Sequence, residues 1–407
     1  MHVRFKRAPV RALLPIVLAS GLITAFADQP SVEAATPTWT SVNLPAATVL
    51  AAVACPTSTT CIAVGSDGSG GAAVTETNGT FQPVVNLTSP TGYDPTEYLD
   101  GISCPTASTC LAVGEGFTVG GTPVPVVTQA SNGTFGPASV LRLPSNADST
   151  KESYLDAIAC ANTTTCLAVG TYTNTNGTIQ AMEAPAKNGE FGQGVPVTLA
   201  CGAAANCWNL TGIACPSATK CIAVGLGGAI VNFSNGIERS ISLALPPRGG
   251  DVQNLPNLNS IACESVNHCF AFGTFGASSG KISGMAVEIT NGIFTDSSQI
   301  ALPPNAADQP LFDAGGTACV STTKCLSVGS YFANTNGNGD GQQVPLIAFE
   351  SNGRYDPATE VPTPAGQPPN PYDSFAGQLS AVACPTPSTC LAVGQSPETQ
   401  GWATFLT

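Results

Sequence analysis

The sequence predicts an all-β protein, a seven-bladed β-propeller with four antiparallel strands in each blade. Three observations predict it. First, a cassette of two cysteines enclosing five residues, followed by a short apolar run ending in glycine, occurs seven times, from "CPTSTTCIAVG" at 55–65 to "CPTPSTCLAVG" at 384–394. Second, successive first cysteines lie 49, 56, 55, 48, 56 and 65 residues apart, within or above the span of one propeller blade. Third, the last unit stops one strand short, while residues 38–46 supply a strand-like piece to complete it. Composition agrees, since 43 Gly and 33 Pro with only 10% charged residues suit many turns between short strands.

The chain opens on "MHVRFKRAPVR", a basic stretch, followed by the short apolar run "ALLPIVLASGLITAFA". This reads as a secretory signal over residues 1–27, with an A-x-A site at Ala25–Ala27 and a second candidate ending at Ala34. Pro15 and Ser20 interrupt the run, which falls short of the ~20 apolar residues a membrane span needs. Residues 28–407 then form the propeller. Removing the signal takes four of the 13 basic residues and no acidic one, leaving 9 against 26, a net charge of −17. Such a surface repels polyanions, so no nucleic-acid partner is expected; with the signal removed no membrane insertion is expected, and no cofactor is expected. The unit is expected to be a monomer.

Within each unit the first strand leads into the cassette, near 50–55, 99–104, 155–160, 210–215, 258–263, 314–319 and 379–384. It reads "LAAVAC", "LDGISC" or "LDAIAC", with "AGGTAC" as the weakest copy. The second is the apolar run after the second cysteine, whose small residues suit a strand buried on both faces. A third strand runs into Asn-Gly at Asn78, Asn132, Asn188, Asn235, Asn291 and Asn352, the strongest short hairpin signal because a type I′ turn needs positive φ at both residues. The fourth opens with an aromatic residue (Phe81, Phe135, Phe191, Phe294, Tyr355), except that unit four has Glu238. In "TPTWTSVNLP" Trp39 takes the same slot, so the N-terminal strand is expected to lock the ring by completing the last blade.

All 16 cysteines fall into C-x5-C pairs: Cys55/Cys61, Cys104/Cys110, Cys160/Cys166, Cys201/Cys207, Cys215/Cys221, Cys263/Cys269, Cys319/Cys325 and Cys384/Cys390. Structural zinc favours closer spacing than C-x5-C and often histidine, of which only His268 remains after signal removal, and an exported chain meets oxidising conditions. Disulfides are therefore expected, each closing a seven-residue loop worth about 2 kcal/mol in the chain-entropy model.

The "[ST]NG-x-F" turn resembles a shortened Asp-box, the hairpin of BNR and sialidase-type propellers. The whole mature chain looks like the secreted, Cys-clipped propellers of actinobacteria, variously WD40-like or BNR-like. For fold, the resemblance implies a propeller. For activity, a sialidase would need three clustered arginines, a tyrosine–glutamate nucleophile and an aspartate. Only Arg142, Arg239, Arg248 and Arg354 survive signal removal, and none is expected at an inner strand start. His268 reads as a polar residue of a cysteine-closed turn. No G-x-S-x-G, H-E-x-x-H or Walker-type run occurs. "NTNGNGDG" at 334–341 resembles a calcium loop, but Pro345 stands where an EF-hand needs its bidentate glutamate.

Variable residues concentrate in the connections between units, which read as long irregular loops on one face. They carry Tyr93, Asp94, Tyr98, Asp100, Tyr154, Asp156, Trp208, Asp313, Tyr372 and Asp373, and the Cys201/Cys207 pair beside Trp208. Aromatic rings with carboxylates suit sugar stacking, cations or a basic peptide. The reading is a secreted, non-catalytic propeller that binds an extracellular glycan, cell-wall component or protein there. A glycan hydrolase or lyase using Asp100, Asp156 and Asp313 is the alternative, and a structural envelope component is a third.

Overall fold

The computed structural model describes residues 39–44, 48–199, 208–247, 256–276, 281–308, 311–334, 341–351, 353–363, 377–396 and 400–406. The chain forms seven separate antiparallel sheets, one for each repeat, arranged as a seven-bladed propeller. Blade 3 is representative: Ser153–Cys160, Thr165–Thr173 and Ile179–Lys187 pair in order, and an outer strand follows. In blades 1, 2, 3 and 6 the outer strand is split into two short pieces, for example Glu190–Phe191 and Val195–Val197. The strand Trp39–Asn43 pairs antiparallel with Gln400–Leu406, Trp39 opposite Leu406, and so completes blade 7 from the N-terminal side. Among the described residues no helix is long and apolar enough to cross a membrane.

Seven disulfides join the cassette cysteines of every blade: Cys55–Cys61, Cys104–Cys110, Cys160–Cys166, Cys215–Cys221, Cys263–Cys269, Cys319–Cys325 and Cys384–Cys390. Their Cα–Cα separations are 3.8–4.0 Å. Cys201 and Cys207 lie outside the described residues. The loop inside each cassette is a tight hairpin turn, and its third residue is chosen for it. The Thr57 and Thr106 hydroxyls and the Asn162 amide oxygen accept from the backbone N–H two residues on, at 3.3, 3.3 and 2.9 Å. The Asn-Gly turns dock on these loops: the N–H groups of Asn78, Asn132, Asn188, Asn235 and Asn291 donate to the cassette carbonyls of Thr59, Ser108, Thr164, Thr219 and Asn267 at 2.7–2.9 Å. The five asparagines have φ of 50–54° and the glycines after them are positive too, as type I′ turns require.

The glycine that ends each cassette has a structural cause. In six blades the first strand carries a β-bulge directly after its buried leucine, as between Leu99 and Gly101 and between Leu155 and Ala157. The cassette glycine lies opposite that leucine, and a Cβ there would come within 1.9–2.2 Å of the carbonyl preceding it, for example 2.0 Å from Tyr98 O at Gly114. Blade 6, which has Ala314 for the leucine, uses Gly315 and Gly316 at its own irregularity. No side chain but hydrogen fits beside the bulge.

Hydrophobic clusters lie between adjacent blades. Leu111, Val113 and Val127 of blade 2 pack with Leu155, Tyr172 and Met182 of blade 3, and the same pattern recurs around the ring. The fourth-strand aromatic belongs to these interfaces: Phe81 packs with blade 7, Phe135 with blade 1, Phe191 with blade 2, Phe294 with blade 4 and Tyr355 with blade 5.

Three expectations need correction. The connection 88–101 is not loop throughout, since the first strand of blade 2 runs from Tyr93 to Thr106, an edge extended by pairing with Thr109–Thr118. His268 is more than a polar turn residue. It begins a strand, and its ring lies between two carboxylates, Nδ1 2.5 Å from Glu264 and Nε2 2.6 Å from Glu288. The repeat hid this, because Glu288 sits one strand away on the same blade. The cysteines, expected only as clips on hairpins, are also core residues. The second of each pair (Cys61, Cys110, Cys166, Cys221, Cys269, Cys325 and Cys390) is buried, whereas its partner is half-buried. The cause is position: each second cysteine stands on the second strand of its sheet, between two other strands and against the neighbouring blade. Cys61, Cys110, Cys269 and Cys390 accordingly belong to the interblade hydrophobic clusters.

Candidate functional site

The seven first strands line a common cavity of about 360 Å³ on the axis of the ring. Each contributes the residues just after its leucine: Ala51, Asp100, Asp156, Thr211, Asn259, Gly315 and Ser380, four positions before the first cysteine. The bulge makes this possible. An unbroken strand alternates its faces, so the residue next to a buried leucine would point the other way only once, and the extra residue re-aims it into the channel. The next position is small in every blade because neighbouring first strands nearly touch. A Cβ on Gly101 would lie 3.0 Å from Ala157 Cα, and one on Gly316 only 2.8 Å from Ala381 Cα.

Asp100 and Asp156 are therefore neighbours on the channel wall, both half-buried. Burial, reinforced by the charge of Glu115, pushes the Asp100 carboxyl up to about 7. Asp156 is raised well above the ordinary carboxylate range by burial and then by Asp100, while a hydrogen bond from the Asn209 side chain opposes the rise. Burial also raises Glu115. Burial and the charges of Asp156, Glu152, Glu115 and Asp100 together hold the Tyr154 phenol in its neutral form. At neutral pH the wall therefore retains protons and offers both O–H donors and carboxylate acceptors.

A second ring of residues stands two positions nearer the strand starts: Val49, Tyr98, Tyr154, Asn209, Asn257, Asp313 and Gln378, each six before its first cysteine. Tyr98 is 38% exposed and meets Phe117 edge-on at 6.1 Å. Asp313 is exposed, and Asn209 is buried. Aligning the units on the cysteines alone would have found Asn209, Asn257 and Gln378, which a search for acidic and aromatic residues passed over.

Six of the residues expected from sequence thus come to the channel strands or directly beside them: Tyr98, Asp100, Tyr154, Asp156, Asp313 and Trp208, whose carbonyl accepts from Thr171 Oγ1 at 3.0 Å. Tyr93 and Asp94 lie further out on the extended strand of blade 2. Asp94 closes a local turn there, accepting from the Thr96 N–H at 2.9 Å, a bond that lowers its pKa. Tyr372 and Asp373 lie outside the described residues. None of the cassette cysteines lines the channel cavity; Cys61, Cys110, Cys269 and Cys390 are buried between blades and hold the scaffold rather than meet a ligand there. Arg142, Arg239 and Arg354 fall on or beside outer strands, away from the channel, so no arginine clamp forms among the described residues. Glu264, Glu350 and Cys325 bring potential ligand atoms within 4.8 Å of one another at the blade 5–6 boundary, but Cys325 is disulfide-bonded.

No protein-family model matches the sequence, and no curated protein does. Among solved structures, YCF48 from Cyanidioschyzon merolae superposes with a TM-score of 0.51 at 9% identity, covering 90% of this chain and 98% of that one. The WD40 propeller domain of Doa1 gives 0.48 at 9% identity, covering 90% and 95%. Virginiamycin B lyase from Staphylococcus aureus gives 0.49 at 10% identity, covering 91% and 100%. At such identities the likeness is one of fold alone, and the chain is a seven-bladed β-propeller by the pairing of its own strands.

Proposed function

We propose that the protein is a secreted, non-catalytic binding propeller that holds a hydroxyl-rich ligand, a glycan, at the mouth of its channel. The observation that carries this is the meeting of Asp100 and Asp156 on the wall of a 360 Å³ cavity, with Glu115 and Tyr154 near enough to interact with them electrostatically and the Asn209 side chain hydrogen-bonded to Asp156. Sugar hydroxyls both donate and accept, and a wall of partly protonated carboxyls does the same. Tyr98 and Tyr154 offer rings for the apolar face of a sugar. The size suits one sugar unit, with the rest of a chain running over the loop face. Seven disulfides support an oxidising location outside the cytoplasm.

A second reading rests on the same pair. A glycan hydrolase uses two adjacent carboxyls, one protonated as general acid and one ionised as base, and Asp100, with a pKa near neutrality beside an Asp156 raised well above the ordinary range, offers such a pair. A glycan array probed with the full-length chain and with an Asp100→Asn/Asp156→Asn variant tests both. The binding reading expects bound glycans that the double variant loses and that stay intact on prolonged incubation. Cleaved glycans would favour the enzyme, and equal binding by the double variant would remove the channel from either role.

A further inference from the structure

Two buried acceptors beside the channel have no donor. Asn209 of blade 4, only 4% exposed, is hydrogen-bonded through its side chain to Asp156 of blade 3. That bond leaves Asp156 Oδ2 and Asn209 Oδ1 buried with no hydrogen-bond partner among the described residues. Buried acceptors are ordinarily paired, so these two mark a place where a ligand's donors fit. The charges agree. Asp100 and Asp156 line the cavity from adjacent strands, and Glu115 acts on both of them. Glu152 adds to the same negative field at Tyr154. Among the described residues no lysine, arginine or histidine lines the cavity, and no cation acts on either aspartate. The rest of the polar lining, Thr211, Asn259, Ser260 and Ser380, is neutral. The blade 2–3 side of the cavity thus gathers acceptors and negative charge without a matching cation.

We propose that the glycan held in the channel is an amino sugar, a hexosamine whose unacetylated ammonium group lies against Asp100, Asp156 and Asn209. This rests on the glycan reading of the same wall and narrows it by one substituent. The ammonium donates to Asp156 Oδ2 and Asn209 Oδ1, and its charge meets the two aspartates. The sugar hydroxyls are left for Thr211, Asn259 and Ser380 of the other blades. An ammonium brings a full positive charge and three donors in one compact group. A hydroxyl in its place brings one donor and no charge, and an acetamide brings one donor, no charge and more bulk. Hydrogen bonds between an ammonium and a carboxylate are about twice as strong as those between neutral groups, so this wall ranks the three substituents in favour of the amine.

The test is calorimetric titration of the full-length chain at neutral pH with glucosamine, galactosamine and mannosamine, each set against its N-acetyl form and its parent hexose. The proposal expects saturable binding of at least one hexosamine, roughly tenfold or more tighter than both of its partners. This comparison is made on the wild-type chain, so it holds whatever the variants do. Asp156→Asn, checked for folding by its melting curve, should bring that hexosamine down to the level of its N-acetyl form. Asp296→Asn, an exposed change on the outer strand of blade 5, should leave it unchanged. A hexosamine bound no tighter than its partners would overturn the ammonium contact and leave the glycan reading standing. Methylammonium bound as tightly as the hexosamine would mean that the site reads charge alone, and would overturn the sugar. Binding of none of the hexosamines would refute the inference outright, while the glycan reading would still stand or fall by the array. Equal losses in Asp296→Asn and Asp156→Asn would reduce the attraction to the net charge of the chain and refute the inference as well.

Discussion

An Asp100→Asn variant is expected to be more stable than the wild type above neutral pH and equal to it in acid. Folding raises the Asp100 carboxyl from 3.8 to about 7 because burial and the Glu115 charge disfavour ionisation. For a group raised on folding, the unfolded chain gives up its proton first. The associated stability is fully present below about 3.8 and is lost as pH climbs through about 7. At ~1.4 kcal/mol per pH unit the full difference is about 4 kcal/mol. Water at the channel mouth screens part of it, so about 2–4 kcal/mol is the range to look for. Asparagine keeps the shape and cannot ionise. With an unfolding entropy of ~0.8 kcal/mol/K for a chain of this size, the variant should melt roughly 3–5 °C above wild type at pH 8.5. At pH 3.5 the two should coincide. Calorimetry or circular-dichroism melts at a series of pH values read this directly. A variant that melts at or below the wild type at pH 8.5 would refute the burial and charge coupling assigned to the channel wall.

Other parts of the structure are open to similar tests. Gly170→Ala places a Cβ 2.2 Å from Tyr154 O and should cost roughly 2–4 kcal/mol by displacing the bulge, which urea denaturation would measure; a change under ~0.5 kcal/mol would contradict the role given to the cassette glycine. At His268, burial works against the charged ring, but hydrogen bonds to Glu288 and Glu264 prevail and raise its pKa. The stability it adds is thus complete below its ordinary 6.5 and disappears as pH rises through the higher folded value. Glu288→Gln should bring the imidazole titration, followed by NMR, back toward 6.5, and an unmoved midpoint would count against the clamp. Glu97 is fully buried and its pKa is raised by that burial, so Glu97→Gln should not destabilise the protein at pH 8; a drop in melting temperature there would show that the ionised form is needed.

The fold was legible because the repeat states it seven times. Cysteine spacing, Asn-Gly turns and the aromatic slot are local, each fixed by a hairpin within one blade. What the sequence hid is what arises between strands or between blades. The pairing of Cys61, Cys110, Cys269 and Cys390 could be read from spacing, but their burial between blades could not. Asp100 and Asp156 could be aligned by position, but their joint burial depends on a bulge whose only trace is the glycine of "AVG" on the neighbouring strand. Tyr154, Asn209 and Asp313 share a register that becomes meaningful only when seven strands face one axis. Tyr93 and Asp94 looked equivalent to these because composition cannot tell an extended strand from a loop. Glu238 was visible as a missing aromatic, but that its slot lies opposite a buried Phe233 emerges only from the strand pairing.

The channel and its carboxylates both require a closed ring, and the strand Trp39–Asn43 is what closes it. Ser41 lies opposite Thr404, their hydroxyl oxygens 3.1 Å apart, across 363 residues of chain. Paired positions at this spacing accept a disulfide. A S41C/T404C variant should oxidise spontaneously to a monomeric, circularly linked chain. Its resistance to unfolding should rise, by up to about 6 kcal/mol in the chain-entropy model for a loop of that length. The linkage is read by non-reducing electrophoresis and by mass spectrometry of the peptides it joins. Quantitative intramolecular bonding with a higher melting temperature is the predicted result. Free thiols, or bonds formed only between molecules, would mean that the N-terminal strand does not complete the last blade.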